Sequence, residues 1–104
     1  TGGILNVSGN SWTATQTTGA PLLFSPAAAW SGTEFIIWGS LSGSTAAAGG
    51  ARYNPTANSW TALPTANQPS LRTGHTAVWT GTDFIVWGGR EALAAAVNTG
   101  GRYN

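Results

Sequence analysis

Hydrophobic residues along this chain come in short runs separated by clusters of Gly, Ser, Thr and Asn, and the clearest example is Arg72 to Gly89. It reads Arg-Thr-Gly-His-Thr-Ala-Val-Trp-Thr-Gly-Thr-Asp-Phe-Ile-Val-Trp-Gly-Gly. Two runs of β-forming residues flank a loop containing Gly81, where glycine accepts the positive φ of a tight turn, so the stretch predicts a β-hairpin. A turn symmetric about Gly81 and Thr82 sets Trp79 opposite Phe84, Thr76 opposite Trp87 and His75 opposite Gly88. Side chains alternate along a strand. One face then carries His75, Ala77, Trp79, Phe84 and Val86, and the other Thr76, Val78, Ile85 and Trp87. Neither face is polar, so a sheet built on this hairpin requires cover on both sides.

The pattern recurs upstream, in the segment 23–40, which ends Ala-Ala-Ala-Trp-Ser-Gly-Thr-Glu-Phe-Ile-Ile-Trp-Gly-Ser. Trp30 to Trp79 and Trp38 to Trp87 are both steps of 49 residues (79 − 30 and 87 − 38). A second unit, Gly-Gly-Ala-Arg-Tyr-Asn-Pro-Thr-Ala-Asn-Ser-Trp-Thr-Ala at 49–62, matches 1–14 and begins again at 99–104. A period near 50 with four short strands per unit is expected of propeller blades rather than helical solenoids.

The succession His-Thr-Ala-Val-Trp, Phe-Ile-Val-Trp-Gly-Gly, Gly-Gly-x-Tyr-Asn and Asn-Ser-Trp resembles the bacterial Kelch-type repeat over nearly the whole chain. The resemblance implies an all-β protein of Kelch-like β-propeller blades, about two four-stranded blades plus one extra strand. In such a blade the hairpin supplies the inner strands, and the Gly-Gly-x-Tyr-Asn and Asn-Ser-Trp segments the outer ones. Residues 1–15 are then the outer pair of one blade, 16–63 a complete blade, and 64–104 the first three strands of the next. Two repeats cannot close a ring, so other copies or more of a longer chain must complete it. Nine strands leave two segments, 1–6 and 99–104, competing for one third-strand slot, which favours a longer repeat chain or an open strand-exchanged array. The linkers 41–48 and 91–98 join second and third strands, and 16–21 and 64–70 join successive blades.

Of the 104 residues only 7% are charged, Lys is absent and the net charge is +1. So few charges give little protection against self-association, which suits a surface covered by neighbours. The four Arg are dispersed, so no phosphate-binding cluster exists and nucleic acid is not an expected partner. No apolar run reaches the length of a spanning helix. Cys is absent, which removes disulfides and thiolate metal sites. The Ser, Thr, Gly and Ala content and the family resemblance lead us to expect a secreted or cell-surface protein. With no starting Met or signal peptide, a processed or excised chain is expected.

Few residues carry candidate chemistry. His75 is the single histidine, and Pro26 stands in its place in the other repeat, so it reads as a structural or channel-lining group. Asp83 stands roughly 16 Å away along the hairpin at about 3.3 Å per residue, too far for a triad. Glu34 and Asp83 occupy equivalent hairpin tips on different blades, which does not suit paired carboxylates. No enzyme activity, metal or cofactor is expected. The Gly-Gly pairs precede no helix and recur with the repeat, so close strand packing explains them better than phosphate binding. The six Trp, also at repeat positions, read chiefly as packing groups.

Two functions follow as expectations: an assembly or protein-interaction scaffold, and alternatively a carbohydrate-binding propeller. Trp12, Trp60, Arg52 and Arg102 are the first candidates for a glycan contact. Phe24 lies in Leu-Leu-Phe-Ser-Pro, an apolar replacement for Leu-Arg-Thr-Gly-His, and is a candidate contact residue, as is His75. Asn6-Val7-Ser8 has the form of a glycosylation sequon.

Overall fold

The computed structural model describes residues 1–39, 49–91 and 95–104. The linker 41–48 and residues 92–94 of the linker 91–98 lie outside the described residues. The described residues form nine strands and no helix: β1 Gly3–Asn6, β2 Ser11–Ala14, β3 Ala27–Trp30, β4 Phe35–Trp38, β5 Gly50–Asn54, β6 Ser59–Ala62, β7 Thr76–Trp79, β8 Phe84–Trp87 and β9 Gly100–Tyr103. They make three antiparallel sheets, β1-β2, β3-β4-β5-β6 and β7-β8-β9, which resemble propeller blades and do not close a ring.

Local chemistry explains the hairpins. At the inner tips, the Ser31 and Thr80 hydroxyls accept the amides of Glu34 (2.9 Å) and Asp83 (3.0 Å), while Gly32 and Gly81 take φ of 99° and 104°. Such local side-chain bonds favour turns over continued strand. The register of β7 on β8 sets Thr76 against Trp87 and Trp79 against Phe84, as the turn symmetry predicts. At the outer hairpins, the Asn54 carboxamide accepts the amides of Thr56 and Ala57, and Asn58 closes the turn at φ 48°. Asn10 repeats that conformation at φ 47°.

The same ladder serves each sheet that has it. Tyr53 faces Phe35 and Gly50 faces Trp38 in the complete sheet, and Tyr103 faces Phe84 and Gly100 faces Trp87 in the C-terminal sheet. Opposite β5, β6 places Trp60 on Tyr53 and Thr61 on Arg52, and β2 meets β1 in the equivalent register with Trp12 on Leu5 and Thr13 on Ile4.

The core lies where the complete and C-terminal sheets stack. Ile36, Trp38 and Leu63 from one meet Phe84 and Val86 from the other, with Ala29, Ala77, Trp79 and Tyr103 at the margin. Each such side chain contributes about 1.5–3 kcal/mol when buried. One face of the β7-β8 hairpin is therefore covered, but Val78 and Trp87 on the other are more than half exposed. The cover that both apolar faces require is present on one side only.

Candidate functional site

The seam between the two larger sheets is where the chain's unusual polar groups gather. His75, just before β7, is buried, and its imidazole Nε2 lies 2.9 Å from the carbonyl oxygen of Trp38, its ring edge-on to that indole at 5.3 Å. The carbonyl only accepts, so Nε2 carries the proton and Nδ1 is left buried with no partner among the described residues. A structural His is what the geometry supports: it joins one blade to the next across 37 residues of chain.

Burial lowers the His75 pKa, with Arg72 adding a smaller effect in the same direction, against the opposing influence of the Trp38 carbonyl. The folded state therefore binds a proton less readily than the unfolded chain, whose His titrates near about 6.5. The stabilising effect is complete above that value and is lost as pH falls below it, by at most about 1.4 kcal/mol per pH unit. Urea midpoints are expected to be level between pH 7.5 and about 6.5 and to fall below that, and His75→Gln to flatten the fall. An unchanged slope in the variant would assign the pH response to other groups.

Arg72 is 1% exposed. Its guanidinium donates to the carbonyls of Ser70 (2.9 Å), Gly88 (3.1 Å) and Thr99 (2.8 Å) and to the Ser70 hydroxyl (2.8 Å), with Glu91 at 4.0 Å. It ties the start of the C-terminal repeat to the end of β8 and the approach to β9. Composition shows Arg72 only as one of four dispersed Arg, and Leu23 in its repeat position carries no hint of this role.

The two Arg that lie on strands follow a rule that repeats. Arg52 on β5 reaches Glu34 through one nitrogen at 2.9 and 3.1 Å, and Arg102 on β9 lies 3.7 Å from Asp83. Hydrogen bonding to Glu34, then its charge, raises the Arg52 pKa. Each inner hairpin tip thus carries a carboxylate paired to the third strand of its own sheet. Both Arg candidates for a glycan contact are engaged in these pairs. The signal was available: Glu34 and Asp83 recur at the repeat spacing, as do Arg52 and Arg102.

The tryptophans divide by position. Trp60 packs on Tyr53 with ring centres 4.9 Å apart and donates its indole N–H to the Gln16 carbonyl at 2.8 Å, while Tyr53 donates its hydroxyl to Asn58 at 2.6 Å. Trp12, the equivalent residue of the N-terminal sheet, faces Leu5 and is 71% exposed. Trp87 is 57% exposed where its equivalent Trp38 is 4% exposed. Trp30 is more exposed than its equivalent Trp79 in the same way. Every exposed Trp has a better-covered counterpart one repeat along: Trp38 and Trp79 lie at the seam between the two larger sheets, and Trp60 packs on Tyr53. Phe24 is exposed in the approach to β3.

Two concavities complete the picture. One, of about 260 Å³, opens at the outer end of the seam beside Trp38, Asn67, Gln68, Arg102 and Tyr103. The other, of about 760 Å³, is an open cleft between the N-terminal sheet and the complete sheet, floored by Ala28, Trp30, Phe35 and Ile37 and bounded by Ile4. Among the described residues no group of three or more His, Cys, Asp or Glu is placed to hold a metal ion.

No protein-family model matches the chain, and no curated protein matches it. What distinguishes the chain is its repeat geometry. Its central feature is a pair of unlike apolar faces: the outer face of the β7-β8 hairpin, with Val78, Ile85 and Trp87, and the floor of the cleft, with Trp30, Phe35 and Ile37. Inside the chain the repeat equivalents of these two faces are stacked on one another.

Proposed function

We propose that this chain is a non-catalytic, Kelch-like propeller module that serves as an assembly or protein-interaction scaffold of an exported bacterial protein. The observation that carries the reading is the exposure of Val78 and Trp87 beside the half-buried Ile85, on a face whose equivalents Ala29, Ile36 and Trp38 line the intrachain interface. In water, a chain with 7% charge and an apolar face of this kind has a strong drive to cover it. The cover is a further blade, from another copy or from more of the same polypeptide.

A carbohydrate-binding reading is favoured by one observation, the 260 Å³ pocket between sheets with the Tyr103 ring, the Trp38 indole, Asn67 and Arg102 on its wall. Saccharide titration followed by tryptophan emission separates the two. The scaffold reading expects no saturable change with any sugar of the panel, and expects Trp87→Asp to keep the parent fold while weakening particle assembly or the binding of an apolar dye. A saturable emission change that Tyr103→Ala removes would replace the scaffold by a lectin.

A further inference from the structure

We propose that Asn6 is the acceptor of an N-linked glycan, attached to the folded chain at the tip of the β1-β2 hairpin. This goes beyond the scaffold reading and does not depend on it.

The acceptor form Asn-x-Ser/Thr occurs twice in the sequence, as Asn6-Val7-Ser8 and as Asn54-Pro55-Thr56, at equivalent tips of two outer hairpins. The form requires a middle residue other than Pro, so only the first copy is permissive. Pro55 removes an N–H and fixes φ in the second. The repeat thus carries an unreactive copy of its own site.

The turn at 6–9 presents the permissive copy. The Ser8 hydroxyl donates to Asn6 Oδ1 at 2.9 Å, and the Gly9 amide donates to the same oxygen at 2.9 Å. The carboxamide and hydroxyl that define the acceptor are therefore already in contact. Both bonds fall on Oδ1, so Nδ2, the atom that takes the sugar, is left without a hydrogen bond among the described residues. At Asn54 the two bonds come from the amides of Thr56 and Ala57 instead, with no hydroxyl on the carboxamide.

Access agrees with the chemistry. Asn6, Val7, Ser8 and Gly9 are all exposed, Val7 to 82%, whereas Asn54 and Pro55 are half-buried. The tip of the complete sheet is itself exposed at Thr56, Ala57 and Asn58, so an open tip is a property of the outer turn. A glycan there would also hydrate a chain with only 7% charge, beside the bare Val7 side chain. The seam residues lie on other strands, so the sugar leaves the Val78 and Trp87 face free.

The co-substrate is a glycosyl diphosphate, carried either on a polyprenol or on a nucleoside. In the transfer, the bond from sugar C1 to the diphosphate oxygen breaks and a bond from Asn6 Nδ2 to C1 forms. One Nδ2 proton passes to a base of the transferase, and the diphosphate leaves with the electron pair.

The folded chain is to be incubated with a polyprenol-linked oligosaccharide and an oligosaccharyltransferase, and separately with a nucleoside-diphosphate hexose and a soluble asparagine glycosyltransferase. Peptide mapping by mass spectrometry reads the site. A glycan on Asn6 in either arm, with Asn54 unmodified, is the expected result, and the arm that reacts names the donor. Val7→Pro, which copies the second tip, is expected to abolish transfer. Ser8→Ala, which keeps the Gly9 bond to Asn6, is expected to do the same, and Ser8→Thr to retain it. Transfer in neither arm, transfer only after unfolding in urea, transfer to Asn54, or transfer to Asn6 that survives Ser8→Ala would each overturn the site. None of these results bears on assembly, which light scattering of the Trp87→Asp chain tests separately.

Discussion

Arg72→Ala is expected to destabilise the chain by about 3–5 kcal/mol, the range for removing one partner of a buried charged network. The side chain is 1% exposed and makes four hydrogen bonds, three of them to main-chain carbonyls of segments 70, 88 and 99. A bond to a charged donor contributes about 1.5–3 kcal/mol, and the four are not additive because they share one group. Truncation also leaves a cavity where the guanidinium stem lay. A small domain has only about 5–15 kcal/mol of stability, so the loss is a large fraction. Lys is not expected to rescue it, since an ammonium cannot reproduce a planar fork aimed at several carbonyls. Urea unfolding followed by Trp emission checks this, with Arg102→Ala as the control. Arg102 is exposed and 3.7 Å from Asp83, so its loss is expected to cost under about 1 kcal/mol. Equal effects at the two positions would refute the clamp.

Gly50→Ala is expected to match or exceed that effect. A Cβ at Gly50 would lie 2.1 Å from the Ile37 carbonyl oxygen and 2.8 Å from the Trp38 Cα. Both obstacles are main chain of β4, so no rotamer relieves them and β5 must move off its ladder. Overpacking against side chains costs about 1–3 kcal/mol, and a rigid backbone obstacle costs more. Moving β5 also disturbs the Leu63 amide bond to the Gly50 carbonyl, which holds the end of β6. Gly100 repeats the geometry, 2.2 Å from the Val86 carbonyl oxygen. Gly2, the equivalent residue ahead of β1, would meet only the Thr15 side chain, at 3.1 Å and beyond, so Gly2→Ala is expected to change stability by less than about 0.5 kcal/mol. The contrast between Gly50→Ala and Gly2→Ala in one denaturation series separates close strand packing from a general requirement for glycine. A mild Gly50→Ala would show that β4 and β5 can separate at little cost.

Much of the architecture was legible in residue order because strand formation here is a local matter. The hairpin register of β7 on β8 followed from the Gly81 turn, the 49-residue step located β3 and β4, and the recurring Gly-Gly segments located β5 and β9. Tight turns and alternating side chains act over two to ten residues, so a repeat written in the sequence becomes a repeat of sheets. The candidate site was less legible. Arg52 and Arg102 were named as candidate contacts, and their pairing with Glu34 and Asp83 was legible only as a shared repeat spacing, because the distance between them depends on which face of the neighbouring strand each side chain takes. The His75 contact with the Trp38 carbonyl joins residues of different repeats, and nothing local to either announces it.

By itself the sequence determined the elements, their order and the equivalence of positions one repeat apart, since those depend on turn chemistry and on the identity of each short segment. Only the tertiary structure decided which of two equivalent faces is covered. Ile36 and Trp38 are buried while Ile85 is half-buried and Trp87 exposed, although each pair has nearly the same neighbours in the chain. Burial is a property of what stacks on a face, and stacking is settled by the packing of whole sheets. Trp60 likewise is packed through the Tyr53 ring and through the Gln16 carbonyl, 44 residues away in the chain, a contact that only the tertiary fold brings together.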